Sequence, residues 1–147
     1  MNIAVVHEFA APRQKLWDLL LDPARLANCI PGCEELREAG PDKYSATLRI
    51  GVAAIKGTYT GKVEISDKRE PEHYKLSVEG SAAPGFVRGM ATMDLAESGA
   101  ESTRLSMNAD AQVGGLIASV GQRFLSGIAR QMTQQFFRSV EKELQAS

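Results

Sequence analysis

From about residue 35 to residue 111 apolar side chains alternate with polar or small ones, and from Gly115 onward the spacing changes to three and four residues. The alternating sets are Tyr44, Ala46, Leu48, Ile50 and Val52; Tyr59, Gly61, Val63 and Ile65; Tyr74, Leu76, Val78 and Gly80; Val87, Gly89, Ala91, Met93 and Leu95; and Leu105, Met107, Ala109 and Ala111. A period of two sends successive side chains to opposite faces of a strand, so each strand has one covered and one wet face. Ile117, Val120, Phe124, Ile128, Met132, Phe136 and Val140 then form the apolar stripe of one long amphipathic helix running to the C-terminus. Strands that are apolar on one side only need a common cover. A curved antiparallel sheet with the helix laid across it is the simplest packing.

The rest of the chain fits around that plan. NIAVVHEF reads as a first strand, with Ile3, Val5, His7 and Phe9 on one side. Ala11 and Pro12 open a helix over KLWDLLLD, Asp22-Pro23 breaks it, and ARLAN makes a second short turn of helix. CIPGC is a loop and ELREA another strand, and GPDK, REPE, SAAPG and ESGAES are turn-like breaks. No linker, repeat or low-complexity tract divides the chain, so residues 1–147 are expected to form a single α+β domain. A chain of this length can bury a sufficient core without disulfides or metals.

Charge and composition exclude several classes. A net charge of -1 lacks the cationic surplus that nucleic-acid binding needs. Met1 leads directly into the alternating run, with no basic start and no apolar core segment, so no signal peptide is expected. No apolar run reaches the length of a membrane span. Two cysteines fit a reducing cytoplasm.

Those cysteines lie four positions apart in NCIPGC. A redox pair usually has two intervening residues at a helix start. A structural zinc site needs four ligands, and the only other soft donors, His7 and His73, are in separate strands. The residues favour a loop turned by Pro31-Gly32, with thiols packing as small apolar groups. QVGGLIASVGQRF suggests a phosphate loop, but no Lys-Ser/Thr pair follows its glycines. Gly114-Gly115 instead turn strand into helix, and Gly121 and Gly127 would let the helix lie close to the sheet or leave room beside it. Neither histidine lies in a nucleophile motif. Glu34 and Glu35 are adjacent and on a strand point apart, so they are no acid/base pair. Met90, Met93, Met107 and Met132, beside small residues such as Gly61, Gly80, Gly89, Ala109 and Ala111, read either as ordinary core or as the adaptable lining of a cavity.

Taken together, LANCIPGCEEL, GTYTGKVEISD, PGFVRGMATMDL and NADAQVGGLIASVGQRFLSGIARQM resemble the CoxG family of carbon monoxide dehydrogenase, within the START-like, Bet v 1-like (SRPBCC) helix-grip superfamily. The resemblance runs over nearly the whole chain, and CIPGCE and AQVGG...GQR are its most specific marks. It implies a seven-stranded antiparallel sheet gripping a long C-terminal helix, with two short helices after strand one and an apolar cavity between sheet and helix. It makes CIPGC a family signature that shapes the pocket mouth and gives no support to a disulfide or metal. Members of the family accompany molybdenum hydroxylases of the carbon monoxide dehydrogenase type and are thought to help them mature or attach to the cytoplasmic membrane. Some carry a C-terminal membrane-binding extension, whereas this sequence stops at SVEKELQAS. Any membrane contact is then expected to be transient, from the domain surface at the inner face of the cell membrane.

The expected function is that of a non-enzymatic carrier or adaptor, with no cofactor and no catalytic residues. Its partners would be a hydrophobic small molecule, a quinone or a lipid, and the subunits of a molybdenum hydroxylase. Alternation and helix spacing place Leu48, Ile50, Tyr59, Val63, Leu76, Val87, Met107, Ile117, Val120, Phe124 and Ile128 on the cavity walls. Cys29, Ile30, Pro31 and Phe86 fall at the mouth. Burying one prenyl unit would contribute roughly 3–4 kcal/mol, from about 0.8 kcal/mol per carbon, before association losses. Two other classes stand beside this one. A cyclase or hydrolase would bring two or more buried polar groups together inside, His7 or Tyr59 first. A ligand-free interaction module would have a filled core and use faces such as Lys56, Lys62, Lys68 and Arg69.

Overall fold

The computed structural model describes residues 1–52, 55–83 and 85–146. The chain runs β1 (Asn2–Phe9), α1 (Arg13–Leu20), α2 (Pro23–Leu26), β2 (Cys33–Gly40), β3 (Lys43–Ile50), β4 (Gly57–Arg69), β5 (His73–Ala82), β6 (Gly85–Gly99) and β7 (Ser102–Gly114). A 3-10 turn, Gly115–Val120, and the helix α3, Gln122–Ala146, complete it. The expected break at SAAPG includes Pro84, which lies outside the described residues.

The seven strands form one antiparallel sheet in the order β1-β7-β6-β5-β4-β3-β2. α1 and α2 carry the chain from one edge strand, β1, to the other, β2. The Asp22-Pro23 pair shapes this corner: the Asp22 carboxylate accepts a hydrogen bond from the Ala24 N–H at 3.1 Å, and Pro23 occupies the first turn of α2. From β2 the strands meander back until β7 pairs with β1. Register then builds the inner face. Tyr44 sits opposite Val63, and Val63 opposite Val78; Ile65 sits opposite Leu76; Tyr74 and Met93 are opposite each other, and Met107 is paired with both Met93 and Val5.

Apolar side chains on this face gather into two clusters. The larger packs Phe9, Leu16, Leu19, Leu105, Phe137 and Val140, all at most 1 % exposed, around Trp17 and Tyr74, whose rings meet edge to face at 5.4 Å. The smaller has Ile55, Tyr59, Ile117 and Leu125 at its centre.

The helical segment departs from the sequence expectation in two ways. It does not begin at Gly115: residues 115–120 form the 3-10 turn, and Gly121 then adopts φ 95° before α3 starts. That left-handed value is open to glycine and strained for other residues. Val140 is buried as expected, but the other buried positions of α3 are Leu125, Phe137 and Leu144, while Phe124 is 45 % exposed. Nor do Gly121 and Gly127 mark close approach, since a Cβ at either would meet nothing within 4 Å.

Candidate functional site

The middle of the sheet's inner face is not filled. A cavity of about 280 Å³ lies there, within the larger cluster's ring of side chains. Leu20, Leu21, Pro23 and Leu26 of the α1–α2 corner and Ile30 and Pro31 of the CIPGC loop form one wall. Leu36, Tyr44, Val63, Ile65, Tyr74, Leu76, Val78, Met93 and Met107 form the floor, and Met132, Thr133 and Phe136 of α3 the roof. Three hydroxyls interrupt this apolar lining. Thr133 spends its own by donating to the Ala129 carbonyl at 2.8 Å. Burial raises the Tyr74 phenol far above its ordinary pKa, and raises that of Tyr44 as well, so both stay neutral. No carboxylate, imidazole, thiol or cation is among the described lining residues. A pocket with these properties suits an apolar molecule.

The sequence-derived wall residues divide between two places. Val63, Leu76 and Met107 line the cavity, with Ile30 and Pro31 beside them. Leu48, Ile50, Tyr59, Val87, Ile117, Val120 and Ile128 instead belong to the smaller cluster, where the Tyr59 hydroxyl donates to the Ile55 carbonyl at 2.7 Å. Phe124 points to solvent. Phe86 is not at the mouth. It shares the outer face with Arg88, whose guanidinium lies 5.8 Å from its ring centre, and it covers Gly114, where a Cβ would overlap the ring. Alternation explains this, because Phe86 and the inward Val87 are neighbours on one strand.

Met93 and Met132, which the sequence left open between ordinary core and cavity lining, are lining residues, whereas the α1–α2 corner, Leu36, Tyr44, Ile65, Tyr74, Val78, Thr133 and Phe136 were not expected there. The strand positions carry the same alternation as Val63 and Leu76. What was missing was height along the strand, which pairing register sets.

Cys29 is buried beneath the loop, and its thiol donates to the Arg25 carbonyl at 3.6 Å; the Cys33 thiol donates to the Glu35 carbonyl at 3.5 Å. Both cysteines are free, and burial raises both thiol pKa values, so neither is an activated nucleophile. Among the described residues no three His, Cys, Asp or Glu side chains come together as metal ligands. His7 packs against Phe9 and Phe137, with Nε2 3.5 Å from Glu141. His73 Nδ1 is 2.6 Å from Asp94. Neither histidine lines the cavity. Among the described residues no helix is long and apolar enough to cross a membrane.

A curved antiparallel sheet closed by a long C-terminal helix over an apolar cavity is the helix-grip architecture of START-like proteins. Solved structures agree. A conserved protein from Geobacillus kaustophilus superposes with a TM-score of 0.97 at 40% identity, covering 100% of this chain and 97% of that one. A START superfamily protein from Mycobacterium smegmatis gives 0.76 at 11% identity (99% and 97% covered). The Zhui aromatase/cyclase from Streptomyces sp. R1128 gives 0.71 at 18% identity (99% and 93% covered). At those lower identities the likeness is one of fold. No curated protein matches the sequence. The pattern of the carbon monoxide dehydrogenase CoxG family matches residues 7–145, and the chain belongs to that family.

Proposed function

We propose that this protein binds a hydrophobic molecule, a quinone or a lipid, in the cavity under α3. It would act as a non-enzymatic accessory protein of a molybdenum hydroxylase of the carbon monoxide dehydrogenase type, helping the enzyme mature or associate with the membrane. The observation that carries the reading is the cavity itself: about 280 Å³ of space with an almost wholly apolar lining. At about 30 Å³ per water-sized group that is room for roughly nine such groups, comparable to two prenyl units or a medium acyl chain. A hydroxylase passing electrons to a membrane acceptor needs its apolar carrier shielded from water, and such a cavity supplies the shield. Transient membrane contact would fall to the surface beside the smaller cluster, where Leu116 is 73 % exposed.

The same fold serves an aromatase/cyclase. Against an enzymatic reading here, the described lining residues offer two neutral phenols and a hydroxyl already bonded within its own helix, and no other polar side chain among them. Against a ligand-free interaction module stands the unfilled interior. Organic extraction of protein purified from its own host, followed by mass spectrometry, tests the proposal. About one equivalent of a quinone or lipid is expected. An empty extract from protein that also takes up no decylubiquinone would refute it.

A further inference from the structure

An antiparallel meander sends alternate connections to opposite ends of the sheet. At one end the β2–β3, β4–β5 and β6–β7 connections carry or flank Asp42, Asp67, Glu70, Glu72, Glu97 and Glu101. The β3–β4 and β5–β6 connections and the end of β7 share the other end, where Ile50 pairs with Gly57, Ala82 with Gly85 and Phe86 with Gly114. The 3-10 turn and the first turn of α3 continue from there. This second end is drawn from residues 43–63, 80–93 and 111–140, and none of these stretches contains Asp or Glu. The acids that border it each have a cation beside them: Glu34 has Arg49 at 3.5 Å, Glu79 has Arg88 at 3.7 Å, and Asp110 has the N-terminal ammonium at 3.6 Å. A net charge of -1 thus conceals two unlike ends.

The acid-free end is also where apolar side chains stand in water. Val52, Leu116 and Phe124 are exposed there. Each lies within three residues of a side chain buried in the smaller cluster, Ile55, Ile117 and Leu125 respectively, which ties all three segments to one packed base. Lys56 and Arg123 are exposed on the same segments. The AQVGG and GQR stretches fall here, and none of their residues is among those described as lining the cavity. Exposed apolar groups interleaved with cations and kept clear of carboxylates match an anionic lipid surface, where the apolar groups enter the acyl boundary and the cations meet phosphates. A protein surface of mixed charge would not demand the exclusion of acids. We propose that this end docks on an anionic bilayer, with Leu116 and Phe124 in the interface and Lys56 and Arg123 at the phosphates. The proposal rests on the transient membrane contact read above and adds its face and its lipid class. It does not depend on what fills the cavity.

Co-sedimentation of the full chain with vesicles tests it, one set of phosphatidylcholine alone and one of phosphatidylcholine and phosphatidylglycerol in equal parts. The variants are L116S/F124S, K56Q/R123Q and, as a control that removes exposed apolar groups elsewhere, V6S/M90S on the outer face of the sheet. Thermal unfolding monitored by circular dichroism verifies that each is folded. The wild type and V6S/M90S are expected to bind the anionic vesicles equally and the neutral ones far less. L116S/F124S should lose about tenfold or more in affinity. K56Q/R123Q should lose about tenfold or more on anionic vesicles, and added salt should weaken wild-type binding. Undiminished binding by folded L116S/F124S would overturn the assignment of the face, and equal wild-type binding to both vesicles would overturn the anionic lipid. No binding to either would overturn the docking altogether and leave this end to a protein partner. Decylubiquinone uptake by the same samples reads the cavity separately: uptake without vesicle binding removes the docking alone, and absence of both removes the proposed function with it.

Discussion

Leu105 and Leu76 face the same side of the sheet in neighbouring parts of the larger cluster, yet their surroundings differ. Leu105 is 0 % exposed, and Leu76 borders the cavity. Truncating Leu105 opens a new void, so Leu105→Ala should cost about 2–5 kcal/mol. Leu76→Ala enlarges a void already present and should cost about 1–2 kcal/mol, close to the transfer contribution alone. Urea unfolding of the two variants measures the difference; equal losses would mean the cavity is closed in solution. The thiols give a second check at this scale. Because burial raises both pKa values, Cys29 and Cys33 should be less ionised than free cysteine at any given pH, and should react more slowly with iodoacetamide in the folded protein than in urea. Faster reaction in the folded state would contradict that account. Residue identity made the apolar face legible, as the shared parity of Val63, Leu76 and Met107 shows. It did not distinguish Tyr59 from Tyr74, which share that parity but sit at different heights on the sheet.

Among the elements, the strands and the α1–α2 corner were legible because each carries a local cause: alternation in the strands, and the Asp22-Pro23 pair between the helices. The broken helix was not legible. Ile117, Val120, Phe124 and Ile128 keep helical spacing straight through Gly121, and only a backbone angle reveals the interruption. Glycines give this scale its prediction. Gly127 lies inside α3 with open space around it, so Gly127→Ala should stabilise by about 0.5–1 kcal/mol. Gly32 has φ 74°, and a Cβ there would come within 2.2 Å of the Arg49 carbonyl oxygen. Gly32→Ala should therefore cost roughly 2 kcal/mol or more. Thermal or chemical unfolding decides both, and a Gly32→Ala protein of unchanged stability would mean that CIPGC is not held against β3.

For the whole molecule, all three tyrosines, Tyr44, Tyr59 and Tyr74, have phenols that burial keeps neutral. Above pH about 10 the unfolded chain gives up phenolic protons that the folded chain retains. The unfolded state then binds fewer protons, so stability must fall as pH rises from there. Ultraviolet titration should show tyrosine ionisation delayed beyond the ordinary phenol range and coincident with unfolding. Early ionisation without unfolding would contradict the burial. The central claim, that an apolar molecule occupies the space under α3, has a built-in set of reporters. Of the five methionines, Met93, Met107 and Met132 line the cavity, and Met90 stands 59 % exposed on the other face. Titration of methionine-methyl-labelled protein with decanol, followed by NMR, is the most direct measurement. Saturable shifts of the Met93, Met107 and Met132 methyls with Met90 unmoved are expected; Met90 shifting alongside them, or three silent cavity methyls, would mean that no apolar molecule sits under α3.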